Sequence, residues 1–199
     1  MEPRRTSRGL LMVIFFVVAG SAAAIDLWTK DAIFDLLQVQ SAGNPPSVID
    51  QTEIEVVPGY FDLQANYNYG AFSGWFSKHP GWLTVLSALA LCLILWIVIQ
   101  HAWRSPSPSP AFVVALALLW GGTLGNFHDR VLIGAVRDWI KWFFVHDGKE
   151  VVWPNFNIAD SAICTGVGLI VLLEVLNAAR ERKRSVPAPD AAVSPPSPR

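Results

Sequence analysis

The sequence predicts an all-α membrane protein: four transmembrane helices carrying a small extracytoplasmic β-sheet. Three observations lead there. The chain of 199 residues is 52% hydrophobic but only 16% charged, well under the quarter or so usual in soluble domains, and its mean hydropathy is +0.38. Four segments lack charge for long enough to cross a hydrocarbon core, which takes about 20 apolar residues. Trp28, Trp75, Trp82, Trp103, Trp139 and Trp142 lie near the ends of apolar segments, where interfacial aromatic belts form.

The segments fall at 9–25, 81–100, 111–127 and 158–176. The first has a rival reading, since Arg4, Arg5 and Arg8 precede an apolar run ending in "AGSAAA", as in a signal peptide. Three further spans favour an uncleaved helix. The fourth is interrupted by Asp160 near its start and Glu174 near its end. Together they define a membrane domain over 1–177. The remainder, 178–199, ends in "SVPAPDAAVSPPSPR", too poor in apolar residues to bury a core, and is expected to be a disordered cytoplasmic tail.

Orientation follows from Lys and Arg beside the spans, because cytoplasmic loops retain positive charge. Arg4, Arg5 and Arg8, then Arg104, then Arg180, Arg182, Lys183 and Arg184 share one side only with four spans. Both termini are then cytoplasmic, and 26–80 and 128–157 lie outside. Within 26–80, "TEIEVV" and "YFDLQAN" alternate about a Pro58-Gly59 turn, a strand–turn–strand pattern. Asp31 to Gln40 is expected as a short interfacial helix.

Net charge is −1 and no basic stripe is interleaved with aromatics, so no nucleic-acid partner is expected. Cys92 and Cys164 each sit in an apolar stretch, outside any metal-like spacing, and are expected as small buried hydrophobes. His128, His146 and Asp147 lack metal-site spacing and are expected to be solvated.

Polar residues gather at one level of this topology. "DLWTK" ends the first helix, "NYNYGAFSG" precedes the second, "GNFHDR" ends the third and "NFNIAD" opens the fourth. Ionisable groups held together at helix ends point to function. Asn126 and Arg130 are four apart, and Asn157 and Asp160 three apart, so each pair shares a helical face. Asp138 comes from the loop beyond the third helix. Two carboxylates brought together share a proton and can activate water, but spacing alone leaves open whether Asp138 and Asp160 meet. Asp138 alone also fits a loop aspartate paired with Arg137 or Lys141. Asp160 fits a helix cap, Arg130 a snorkelling cation, and Asn126 a bond between helices.

At these residues the chain resembles the signal peptidase II family, the lipoprotein signal peptidases of bacterial inner membranes. The resemblance rests on "DLWTK", "NYGA", "GGTLGNFHDR" with "GAVRDWI", and "FNIADSAI", in the family's order. It implies a multi-pass aspartic endopeptidase, a hydrolase of the cell inner membrane with its active site at the extracytoplasmic face. Such an enzyme removes the signal peptide from diacylglyceryl-modified prolipoproteins, cutting before the lipidated cysteine. Asp138 and Asp160 match the catalytic aspartates. Asp26, Lys30, Asn68, Asn126, Asp129, Arg130 and Asn157 match polar positions that support the site or bind substrate. The family needs no metal or organic cofactor, works among membrane lipids, and is inhibited by globomycin. Leu27, Ser73 and Arg137 depart from its usual pattern, which has Gln, an aromatic and an apolar residue there.

Two rival classes fit less well. A lipid-phosphate hydrolase needs a histidine nucleophile set among cations, which these histidines lack. A transporter places its carboxylates near the midplane, often in related halves, whereas Asp138 and Asp160 lie at one edge and no repeat is visible.

Overall fold

The computed structural model describes residues 7–43, 46–48, 53–70 and 80–185. Its elements are α1 (Arg8–Leu36), β1 (Ser41–Ala42), β2 (Ser47–Val48), β3 (Glu53–Val57), β4 (Phe61–Asn68), α2 (Pro80–Arg104), α3 (Pro110–Leu132), β5 (Val136–His146), β6 (Lys149–Val152) and α4 (Ile158–Ser185). All four helices are long and apolar enough to cross a membrane. Their outer faces carry large apolar side chains, among them Phe16, Leu89, Trp96, Val171 and Val175. Lipid covers such a surface, and the helix satisfies its own backbone hydrogen bonds there.

α3 packs against the other three helices, and its small residues set how closely. A Cβ on Gly121 would strike the Ala19 carbonyl oxygen of α1, and one on Gly122 the Ala159 carbonyl oxygen of α4. Glycine therefore lets the backbones touch, the packing favoured where lipid removes any hydrophobic drive between helices. Away from the sheet, Leu11, Phe15, Ala19, Ile94, Val98, Val113 and Leu116 form an apolar core. A second core lies beneath the sheet, built on Phe34, Leu37, Ala65, Trp139 and Ile140.

α1 is longer than the sequence predicts. Its 29 residues span about 43 Å at 1.5 Å per residue, more than the ~30 Å of hydrocarbon. The helix does not stop at 25, and Asp31 to Gln40 is no separate helix: α1 runs on to Leu36 before the turn at Gln38. The charges that mark an end in the sequence are satisfied inside the bundle, Lys30 Nζ lying 2.7 Å from Asp26 Oδ2 one turn away. α3 likewise continues to Leu132, and α4 to Ser185. The first eight residues of the expected tail are thus helical, and 186–199 lie outside the described residues.

The two strands expected before the second helix are present as β3 and β4, joined through Gly59 at φ +79°. The region 128–157, expected as a loop, instead completes an antiparallel sheet ordered β3-β4-β5-β6. Asp62 pairs with Lys141, and Asn66 with Asp138, across β4 and β5. β5 hides its pattern because Arg137, Asp138 and Lys141 are buried, each answered by a partner. Lys141 Nζ lies 2.8 Å from Glu53, 3.4 Å from Asp62 and 3.3 Å from Glu150, tying β5 to the other three strands. Cys92 and Cys164, expected as buried, are exposed, Cys164 at the edge of a cavity it shares with Asp160.

The contact between α3 and α4 gives a direct test. Gly122→Leu should lower thermal stability in detergent by the equivalent of about 1–3 kcal/mol, the usual effect of overpacking. Gly168→Leu, at a position with open space around it, should leave the melting temperature unchanged.

Candidate active site

The polar residues meet where the bundle joins the sheet, and the start of α4 organises them. Asn157 caps the helix. Its Oδ1 accepts from Asp160 N at 2.9 Å, while Asp160 Oδ2 accepts from Asn157 N at 3.2 Å. This reciprocal pair is a capping box, with the usual Glu or Gln replaced by Asp. A third first-turn amide, Ala159 N, donates to Asp26 Oδ1 at 2.8 Å. The helix terminus is thus satisfied by three side chains of the same cluster, Asn157, Asp160 and Asp26, and its dipole favours the carboxylate of Asp160.

Asn157 also reaches the other carboxylate. Its Nδ2 donates to Asp138 Oδ1 at 2.7 Å and lies 3.2 Å from Arg137 O. Asn68 Nδ2, on the neighbouring strand, donates to Asp138 Oδ2 at 3.0 Å. Asn126 Nδ2 donates to Asp160 Oδ1 at 2.8 Å. Asp138 and Asp160, from β5 and α4, are therefore held on one asparagine. Burial, then the nearby Asp160 carboxylate, push Asp138 up to about 8, against the opposing pull of Asn68 and Lys30.

A charged layer lies beneath. Lys30 is fully buried; its Nζ contacts Asp26 Oδ2 at 2.7 Å, Asn126 Oδ1 at 3.0 Å and Asp129 Oδ2 at 3.3 Å. Gly125 of α3 leaves room for Asp26, whose Oδ2 a Cβ would strike. Asp129 in turn accepts from the backbone and guanidinium of Arg137. Ion pairs buried this deeply are held by full hydrogen bonding, since an unpaired charge there would be strongly destabilising.

A cavity of about 640 Å³ opens beside these groups. Asn68, Gly70, Asn126, Arg130 and Asp160 give it a polar end; Val136, Trp142, Trp153, Phe156, Ile163 and Cys164 make the rest apolar. Arg130 Nη2 lies 3.5 Å from Gly70 O at that polar end. Asp160 lines the cavity, whereas Asp138, 1% exposed, does not. Among the described residues no group of His, Cys, Asp or Glu could hold a metal ion.

Every site residue expected from the sequence lies in or beside this cluster. Asp26 and Lys30 come from α1, Asn68 from β4, Asn126, Asp129 and Arg130 from α3, Asp138 from β5, and Asn157 and Asp160 from the start of α4. Asn126 and Arg130 line the cavity together, as their spacing predicts. The rival placements of Asp138 do not occur, since Arg137 and Lys141 bond elsewhere. Asp160 is indeed a helix-capping residue, and Asn126 does bridge helices while holding it. His146 and Asp147 are solvated at the hairpin tip. Ala71 to Gly74, the second half of the "NYGAFSG" stretch, lie outside the described residues. Sequence reasoning missed Asp31, which binds Arg137, and the burial of Arg137 itself. Nothing in local spacing joins Asp129, in the last turns of α3, to Arg137, near the start of β5.

Four membrane-spanning helices, with two carboxylates held on one asparagine where helix meets sheet, define a multi-pass membrane protein with an acidic site at the bundle's end. The chain belongs to the signal peptidase II family, whose model matches residues 17–176. Among curated relatives it is 34% identical to the lipoprotein signal peptidase of Azoarcus sp. (strain BH72), over 80% of this chain and 81% of that one. The lipoprotein signal peptidase of Xanthomonas campestris pv. campestris (strain 8004) is 31% identical over 86% of this chain and 93% of its own. A solved bacterial membrane enzyme, determined by the in meso method at 2.3 Å, superposes with a TM-score of 0.66 and 26% identity, covering 87% of this chain and 94% of that one. Membership indicates a protease of lipoprotein processing, acting on the signal peptides of prolipoproteins.

The position of the Asp138 proton has a measurable sign. An aspartate in the unfolded chain titrates near 3.9, so folding takes up a proton between roughly pH 4 and 8. The stabilisation it brings is complete below that window and lost as pH rises through about 8. Asp138→Asn removes this titration. Its melting temperature relative to the unmutated protein should therefore rise between pH 6 and pH 9; a difference independent of pH would contradict the shift.

Proposed function

We propose that the chain is an aspartic endopeptidase that removes the signal peptide from diacylglyceryl-modified prolipoproteins, cutting before the lipidated cysteine. The observation that carries this reading is the attachment of Asp138 and Asp160 to one asparagine, with Asp160 facing the cavity. Two carboxylates so close hold one proton between them near neutral pH. The ionised member takes a proton from water as its oxygen adds to the scissile carbonyl, and the protonated member gives its proton to the carbonyl oxygen. As the C–N bond of the resulting diol breaks, the pair's proton passes to the leaving amine nitrogen and a diol hydroxyl gives its proton to the ionised carboxylate, so the pair ends with one proton again.

The supporting residues have distinct parts. Asn157 and Asn126 hold the carboxylates, Asn68 holds Asp138 from the sheet side, and the Asp26, Lys30 and Asp129 layer balances charge below. Arg130, at the polar end of the cavity, is suited to a substrate main-chain carbonyl. The apolar remainder of the cavity suits residues of a signal peptide arriving sideways from lipid. The enzyme would sit in the bacterial inner membrane with both termini cytoplasmic and the sheet outside, the orientation that the flanking Arg and Lys favour. Membrane lipids would surround it, and globomycin-type peptides would compete for the same cavity. Neither metal nor organic cofactor takes part.

The test uses purified protein in detergent with a diacylglyceryl-modified prolipoprotein and its unmodified form. Cleavage should occur only in the modified substrate, immediately before its cysteine, and globomycin should block it. Asp138→Asn and Asp160→Asn should each lower turnover by about a thousandfold or more, as loss of a member of a catalytic unit does, while remaining folded. Substantial turnover in either variant would remove the pair from the mechanism.

A further inference from the structure

Arg137 has no place in the assignments above, yet its main chain and its side chain are both tethered. It is only 8% exposed. Its main-chain N–H donates to Asp129 Oδ2 at 3.0 Å, its Nε to the same oxygen at 3.2 Å, and its Nη2 to Asp129 Oδ1 at 2.9 Å. Nη1 donates to Asp31, and the guanidinium lies 5.8 Å from the Phe34 ring centre. Its carbonyl oxygen accepts from Asn157 Nδ2. Both main-chain polar groups and the side chain of Arg137 are thus fixed, one residue before Asp138.

The second observation concerns charge. Asp26 and Asp129 are fully buried, and the fixed cations against them are Lys30 and Arg137, with His128 Nδ1 3.6 Å from Asp129 Oδ1. This balance leaves Lys30 free to donate to Asn126 Oδ1, and Asn126 Nδ2 in turn holds Asp160. Without the guanidinium, Asp129 would draw Lys30 toward itself, because a buried carboxylate short of partners is strongly disfavoured. Asn126 would lose a donor, and its hold on Asp160 would loosen. One arginine therefore acts on both carboxylates, on Asp138 through the chain and on Asp160 through Asp129, Lys30 and Asn126.

We infer that Arg137 is a positioning residue for the Asp138–Asp160 pair, an assignment that rests on the peptidase reading. The titratable groups against it are Asp31 of α1, Asp129 of α3 and, paired in register, Tyr67 of β4, while Lys30 and His128 meet it through Asp129. Loss of its positive charge makes the pair harder to ionise. A displacement of about 1 Å at the pair suffices for about a hundredfold loss of rate.

The experiment compares the full-length unmutated protein, Arg137→Met and Arg137→Lys, measuring kcat and KM for lipidated prolipoprotein from pH 5 to 9 per mole of folded enzyme. Arg137→Met should lower kcat about a hundredfold with KM within about twofold, and move the acid limb of the profile to higher pH. Arg137→Lys keeps the charge without the planar fork; its acid limb should stay in place while kcat remains reduced, and it serves alone if the methionine variant does not fold. A purely structural arginine would lower the melting temperature and leave kcat and both limbs unchanged, which would overturn the inference. Failure of the unmutated protein to cleave would instead reject the peptidase reading, and the inference with it.

Discussion

The arrangement depends on the amide of Asn157, which binds two carboxylates at once. Its side-chain nitrogen holds Asp138 and its main-chain nitrogen holds Asp160. The same residue caps α4, so the geometry of the pair is set by the helix terminus and does not rest on a flexible loop. A capping box normally stabilises a helix by satisfying free amides. Here the acidic half of that box also faces a cavity, and the role in folding and the role proposed in chemistry share one side chain.

Holding like charges together in a dry place requires compensation. The structure supplies it in layers, with amides next to the pair and fixed cations one step further away. Asn68, Asn126 and Asn157 donate hydrogen bonds without adding charge, which leaves the pair able to keep a proton. Lys30 and Arg137 are occupied by Asp26 and Asp129, so neither binds Asp138 or Asp160 directly. A lysine bonded to either would hold it ionised and remove its capacity to donate. Glycines at 121, 122 and 125 let α1 and α4 approach α3 closely enough for these short side chains to meet.

Four spans were legible in the sequence because hydropathy is a sum over many residues. So was the β3–β4 pair, which alternates about a turn. β5 was not legible: Arg137, Asp138 and Lys141 occupy buried positions, so its pattern resembles a polar loop until their partners are known. The end of α1 was misplaced for the same reason, since Asp26 and Lys30 satisfy each other inside the bundle. Spacing put Asn126 with Arg130, and Asn157 with Asp160, on common faces. It could not join Asp138 to Asp160, whose meeting depends on how β5 pairs with β4. The motif resemblance supplied that link, and the Asn157 amide gives it a physical form.

The central claim is that the pair holds one proton at neutral pH, and carboxyl carbons report it directly. The first measurement is a titration of aspartate-labelled protein, following the 13Cγ signals by NMR from pH 4 to 9. One protonated carboxyl signal should persist at pH 7, disappear as pH passes about 8, and be missing from Asp138→Asn. Full ionisation of every aspartate by pH 6 would contradict the account.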